Sequence, residues 1–206
     1  MRTEMINGIP VPYDLSVDEL EALLISGDMS DFAVACEALS NRSDERAYQL
    51  LKKYITDKDK YKRLCVLKTI FRHPMAVQIK SFLEDSILSD DFLFVHNGLG
   101  VVGQYEIEVS EKAVLSAVSK HLSDLNFTDL YALKILSTSD ENFLNLIRIF
   151  KRSKACGQKE VIGEILLEIY SHSHAEELYA LFSKDNFLKI RLLTDKIFGK
   201  ISMDET

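Results

Sequence analysis

The chain has 206 residues, 47% of them hydrophobic and 28% charged, and a formal net charge of −7. That is enough chain for one sizeable core, and the negative balance argues against a surface built to neutralise phosphates. No stretch reaches the ~18 consecutive apolar residues of a membrane span; residues 1–8 hold Arg2, Glu4 and Asn7 without the apolar run of a secretory signal, so a cytoplasmic protein is expected.

Residues 1–15, with Pro10 and Pro12, read as an extended N-terminal arm. From Ser16 onward apolar residues recur at helical spacing. The exception, residues 105–109, reads as a loop. Ser16 with Glu19, and Ser173 with Glu176, fit the reciprocal capping box, and Pro74 suits a first helical position. Residues 200–206 read as a frayed tail.

The helical segments repeat. Frames opening at Phe32, Tyr61, Phe92, Phe127, Gln158 and Phe187 lie 29, 31, 35, 31 and 29 residues apart, and each carries an apolar residue at plus three: Ala35, Leu64, Val95, Leu130, Val161 and Ile190. Before each frame stands another apolar stripe: Leu20/Leu23/Leu24, Ala47/Leu50/Leu51, Ile79/Phe82/Leu83, Val114/Ala117/Val118, Phe143/Leu146/Ile147 and Ala175/Leu178/Tyr179. The unit is therefore an outer helix, a turn, an inner helix and a turn. One pair cannot bury its own apolar face, so residues 16–199 are expected to form a single domain of about six stacked antiparallel pairs.

The second helices resemble those of HEAT repeats, which open on Asp and end Ala-Leu-Gly. Ser89-Asp90-Asp91-Phe92 followed by Val95 to Gly103 looks like that pattern, as does Ser30-Asp31-Phe32 running to Ala38-Leu39-Ser40. The family's arginine is replaced at plus one by Ala33, Lys62, Leu93, Thr128, Lys159 and Leu188. The resemblance implies an all-α fold, a right-handed α-α superhelix, with the second helices lining its concave face. Tetratricopeptide arrays have a similar period, but their Trp is absent.

Candidate chemistry is sparse. Cys36, Cys65 and Cys156 make neither a disulfide framework nor a zinc site and read as small buried residues. His172 and His174 form a His-x-His pair, but a metal needs three or four ligands and only Glu176 and Glu177 stand near, so a polar turn is expected and no cofactor. His96 should point into the core, His73 into a turn, and His121 should end a helix. Gly98, Gly100 and Gly103 fall late in a helix, where they suit close helix approach or termination. Lys58, Lys60, Lys62 and Arg63, like Lys151, Arg152 and Lys154, read as solvated faces.

Apolar residues recur on the side of the second helices opposite the core stripe: Val66, Ile70, Val101, Ala132, Leu136, Leu167 and Leu192, with Phe94 close by. Two readings are open: they anchor a partner, or neighbouring inner helices bury them. A polar rim of Lys62, Arg63, Asp129, Glu160 and Lys189 would frame a groove. The expected function is a non-catalytic adaptor holding a protein or peptide on this face, with no nucleic acid or membrane partner. A bacterial immunity or antitoxin-type inhibitor of a basic toxin is a narrower version. A HEAT-like DNA repair glycosylase is the enzymatic alternative, opposed by the acidic charge and lack of Trp.

Overall fold

The computed structural model describes residues 4–6, 8–170 and 172–197. The fold is all-helical apart from a hairpin at the N-terminus, and helical segments stand at all twelve places marked by the apolar stripes. The chain divides into two compact units, residues 1–101 and 102–206, with the boundary inside one helix. Residues 198–206, including the expected tail, lie outside the described residues.

In unit 1 the arm is not simply extended. β1 (Met5–Ile6) and β2 (Ile9–Pro10) pair antiparallel, Met5 opposite Pro10 and Ile6 opposite Ile9. Gly8, at φ +81°, supplies the left-handed turn residue that this tight reversal needs. Next come α1 (Val17–Ser26), α2 (Met29–Ser40), α3 (Glu45–Lys53), α4 (Lys60–Thr69), α5 (Lys80–Ile87) and α6 (Phe92–Tyr105). The capping box at Ser16/Glu19 forms as expected, and a second joins Asp28 to Asp31 at α2. Pro74 opens a 3₁₀ segment, Pro74–Ile79, rather than an α-helix. Within the unit α2 packs on α1, α3 and α4.

In unit 2, α7 (Glu111–His121) leads to a 3₁₀ segment, Asp129–Ile135, then α8 (Asp140–Arg152), α9 (Cys156–Ile169), α10 (Ala175–Ser183) and α11 (Leu188–Arg191). Here α9 packs on α8, α11 and the 3₁₀ segment, and α10 packs on α11. The expected capping box at α10 does not form: its N-cap is His174, without a side-chain cap, and Ser173 sits a residue earlier in a 3₁₀ turn.

All six plus-three residues are buried, from Ala35 to Ile190. Burying an aliphatic or aromatic side chain contributes about 1.5–3 kcal/mol, so these stripes and fully buried Phe32, Tyr48, Phe143 and Phe150 hold the two cores. The glycines of α6 divide by role. A Cβ on Gly98 would stand 3.1 Å from Ile87, and one on Gly103 would stand 2.9 Å from the backbone of Ala132, whereas Gly100 faces open space. Close approach accounts for two of the three.

The histidines and cysteines divide: His73 stands at a bend between two 3₁₀ segments, His121 ends α7 and Cys36 is buried, as expected, whereas His96, Cys65 and Cys156 are less buried than expected. His73 is the buried histidine among the described residues, its ring against Tyr48. Its Nδ1 accepts the Met75 N–H (3.2 Å), so Nε2 carries the proton and donates to the Asp44 carbonyl (3.1 Å). His96 is only half-buried and stacks on Phe92. Cys36 is buried, and burial pushes its thiol well above the ordinary value. Cys65 and Cys156 are only half-buried.

Candidate functional site

The residues singled out on the second helices fall in three classes. Val66 and Ile70 of the α4 region, Phe94 and Val101 of α6, and Ala132 and Leu136 around the 3₁₀ segment are buried. Leu167 is half-buried on α9, and Leu192, just past α11, is 56% exposed. Of the polar residues, Asp129 is no rim residue: it is buried and accepts the Asn126 N–H (3.0 Å), while Asn126 Oδ1 accepts its own N–H (3.1 Å). Lys62 lies over the rings of Phe32 (5.1 Å) and Tyr54 (5.6 Å). Glu160 and Lys189 pair with each other at 3.2 Å.

Two of these residues, Arg63 and Phe94, come together on a cavity of ≈ 420 Å³ in unit 1. Its geometry begins where α3 ends. The chain runs through a 3₁₀ turn, Tyr54–Thr56, and Asp57 then folds back on itself, its Oδ1 accepting the Asp59 N–H (2.8 Å). Asp59 caps α4 through the Tyr61 N–H (2.8 Å). The carbonyls of Asp57 and Lys58 fall between the helices, where neither ladder can use them. Arg63 Nη1 donates to both, at 2.5 and 3.3 Å. Its guanidinium also lies over the Phe94 ring, 5.2 Å from the centroid, a favourable cation–π arrangement. The head group is thus fixed from two sides. Its Nε and Nη2 bond no other described residue.

The opposite wall is α5. Phe82 and, from the 3₁₀ turn, Ile55 give it apolar surface, and Ser81, Thr56 and Ser89 add hydroxyls. Ser86 is already spent on the Phe82 carbonyl (2.7 Å). Ser89 Oγ accepts the Asp91 N–H (3.1 Å), which leaves its own proton to donate. Asp85 is exposed on the rim, without an ion pair or side-chain hydrogen bond among the described residues. Asp91, which stands behind the wall at the start of α6, is held below the usual carboxylate range. Lys60 Nζ (3.1 Å) is the main cause, with the Leu93 N–H and the charges of Lys60 and Arg63 adding to it.

Unit 2 has cavities of a different character. One, ≈ 400 Å³, has Val102, Tyr131 and Ile135 on its walls and Glu106, Glu108 and Glu168 around it, with Lys134 over the Tyr131 ring. In another, ≈ 580 Å³, Glu111 accepts from Asn142 Nδ2 (2.8 Å) and the Ser137 N–H (2.7 Å), which lower its pKa. His174 stacks on Phe143 with ring centroids 3.9 Å apart and stands 3.4 Å from Asp140; the His172 side chain lies outside the described part. Among the described residues no group of three His, Cys, Asp or Glu is placed to hold a metal ion.

Sequence reading reached Arg63 and Phe94 but missed Ser81, Asp85 and Ser89, because they are polar and fall outside the apolar stripe. A usable signal did exist. Asp57 with Arg63, and Asp185 with Arg191, repeat one spacing, and both pairs make the same anchor: Arg191 Nη1 donates to the carbonyls of Asp185 (2.9 Å) and Asn186 (3.4 Å). No protein-family model and no curated protein matches the sequence.

Proposed function

We propose that this chain is a HEAT-like helical-repeat protein of the cytoplasm whose function is to bind another protein without catalysis. The observation that carries this reading is a recurrent exposed apolar side chain at the start of the second helices. Tyr61 (56% exposed) in unit 1 and Phe127 (51%) in unit 2 open their frames, and Leu93 (40%) in unit 1 and Leu188 (62%) in unit 2 stand one place further on. Ion pairs across neighbouring helices lie beside them: Lys60 with Asp91, and Lys189 with Glu160. Large apolar groups set among fixed charges make a surface suited to protein contact, since the former supply area and the latter orientation.

The test is site-specific photo-cross-linking in the native host, with Tyr61→benzoylphenylalanine and Leu188→benzoylphenylalanine, and Lys112→benzoylphenylalanine on exposed α7 as the control. One partner protein joined to both apolar positions and not to the control is expected. No adduct, or the same adduct from Lys112, overturns the reading.

A further inference from the structure

The unit 1 cavity holds an arginine that its surroundings have prepared and left unfinished. Nη1 of Arg63 is occupied by two carbonyls and the guanidinium face by Phe94, so little rotational freedom remains to be lost on binding. What stays open is the Nε/Nη2 edge, two parallel donors that match the two oxygens of a carboxylate. The free hydroxyl proton of Ser89 lines the same cavity. Exposed Asp85 on the rim adds a like charge, which opposes a dianion more than a monoanion. Ile55, Phe82 and Phe94 provide an apolar floor.

We propose that this cavity seats a short acidic peptide segment of a partner protein. An Asp or Glu side chain docks on the Nε/Nη2 edge of Arg63, and an adjoining apolar residue packs on Phe82 and Ile55. The inference rests on the protein-binding reading and names the chemistry of the bound segment. Arg191 makes the same two carbonyl bonds at an exposed position, so what sets Arg63 apart is the Phe94 ring and the cavity its edge adjoins.

The experiment is an NMR titration of the ¹⁵N-labelled full chain, following the arginine Nε–Hε resonances, with Arg63 assigned by its loss in Arg63→Lys. The probes are acetyl-Glu-Phe-amide, acetyl-Gln-Phe-amide and inorganic phosphate at matched ionic strength. The Glu probe should move the Arg63 resonance saturably and bind at least about tenfold more tightly than the Gln probe, as loss of a charge-assisted bidentate pair implies. Asp85→Asn should tighten the Glu isotherm by removing the like charge, and Arg191→Lys should leave it unchanged. Equal binding of the Glu and Gln probes, an unmoved Arg63 resonance, or an isotherm indifferent to Asp85→Asn overturns the proposal. Tighter binding of phosphate than of the Glu probe overturns it too, assigning the edge to a phosphate group. Cross-linking from Tyr61 and Leu188 uses positions that do not line the cavity, so the two readings fail separately.

Discussion

The turn at residues 57–63 and the turn at residues 185–191 are one device used twice, and their surroundings give it two uses. In both, an aspartate side chain accepts the N–H two residues on, and an arginine six residues on satisfies the carbonyls of the turn. At residues 185–191 the aspartate is drawn into the core. Asp185, its side chain 5% exposed, pairs with Lys159, which itself lies over the rings of Phe150 (5.0 Å) and Phe187 (5.8 Å). At residues 57–63 no cation among the described residues takes the aspartate, and the aromatic partner goes to the arginine instead. One copy is closed on itself as a buried ion pair. The other leaves a positioned guanidinium on a cavity. The backbone anchor is therefore structural, and the side chains delivered by neighbouring helices decide whether it can also bind.

The sharpest way to break this comparison is at the two lysines that share one place in the repeat. Lys159→Met strands the Asp185 carboxylate in the core, and an uncompensated buried charge costs about 3–5 kcal/mol. Lys62→Met removes an ammonium that lies over Phe32 and Tyr54, worth about 0.5–1 kcal/mol at a partly exposed site. Urea unfolding of both variants measures the difference. Equal losses would mean that Asp185 is not closed off as described.

A smaller effect separates the arginines. Arg63→Ala removes a charged donor from two carbonyls and a stacked group from Phe94, and should cost about 1 kcal/mol. Arg191→Ala, at an exposed position, should cost no more than about 0.5 kcal/mol. The same unfolding assay reads both, and a larger loss for Arg191 would reverse the assignment of roles.

How much of this was legible in the sequence follows from what each kind of interaction leaves there. The plus-three residues were readable because a helix must repeat its apolar stripe to be buried, and all six are in the cores. The second stripe, Val66 to Leu192, was equally visible, but periodicity alone could not say whether a neighbouring helix covers it. Burial is decided by tertiary packing, which takes in Val66 and Ile70 and leaves Leu192 out. The 3₁₀ geometry of Asp129–Ile135 and the buried role of Asp129 had no periodic mark. His73 read as a turn residue because it precedes Pro74; its burial depends on Asp44, 29 residues away. The cavity wall was illegible for the same reason: it is assembled from residues of the Tyr54–Thr56 turn, α5, the residues after it and α6, which only the return of the chain brings together.

The smallest effect concerns the acid behind the cavity. The carboxyl of Asp91 is lowered chiefly by Lys60, so its folded-state pKa lies below its unfolded one. Such a group lends stability above the unfolded pKa and loses it as pH falls through the folded pKa. Its side chain is 36% exposed and its partner Lys60 42% exposed, so solvent screens the pair and the contribution is modest. Wild-type stability should therefore decline slightly more than that of Asp91→Asn as pH falls from neutrality through the usual carboxylate range and below it. Unfolding free energies across this range, in low salt and again at 1 M, check the claim: the difference between wild type and Asp91→Asn should shrink in high salt, because a surface pair is screened.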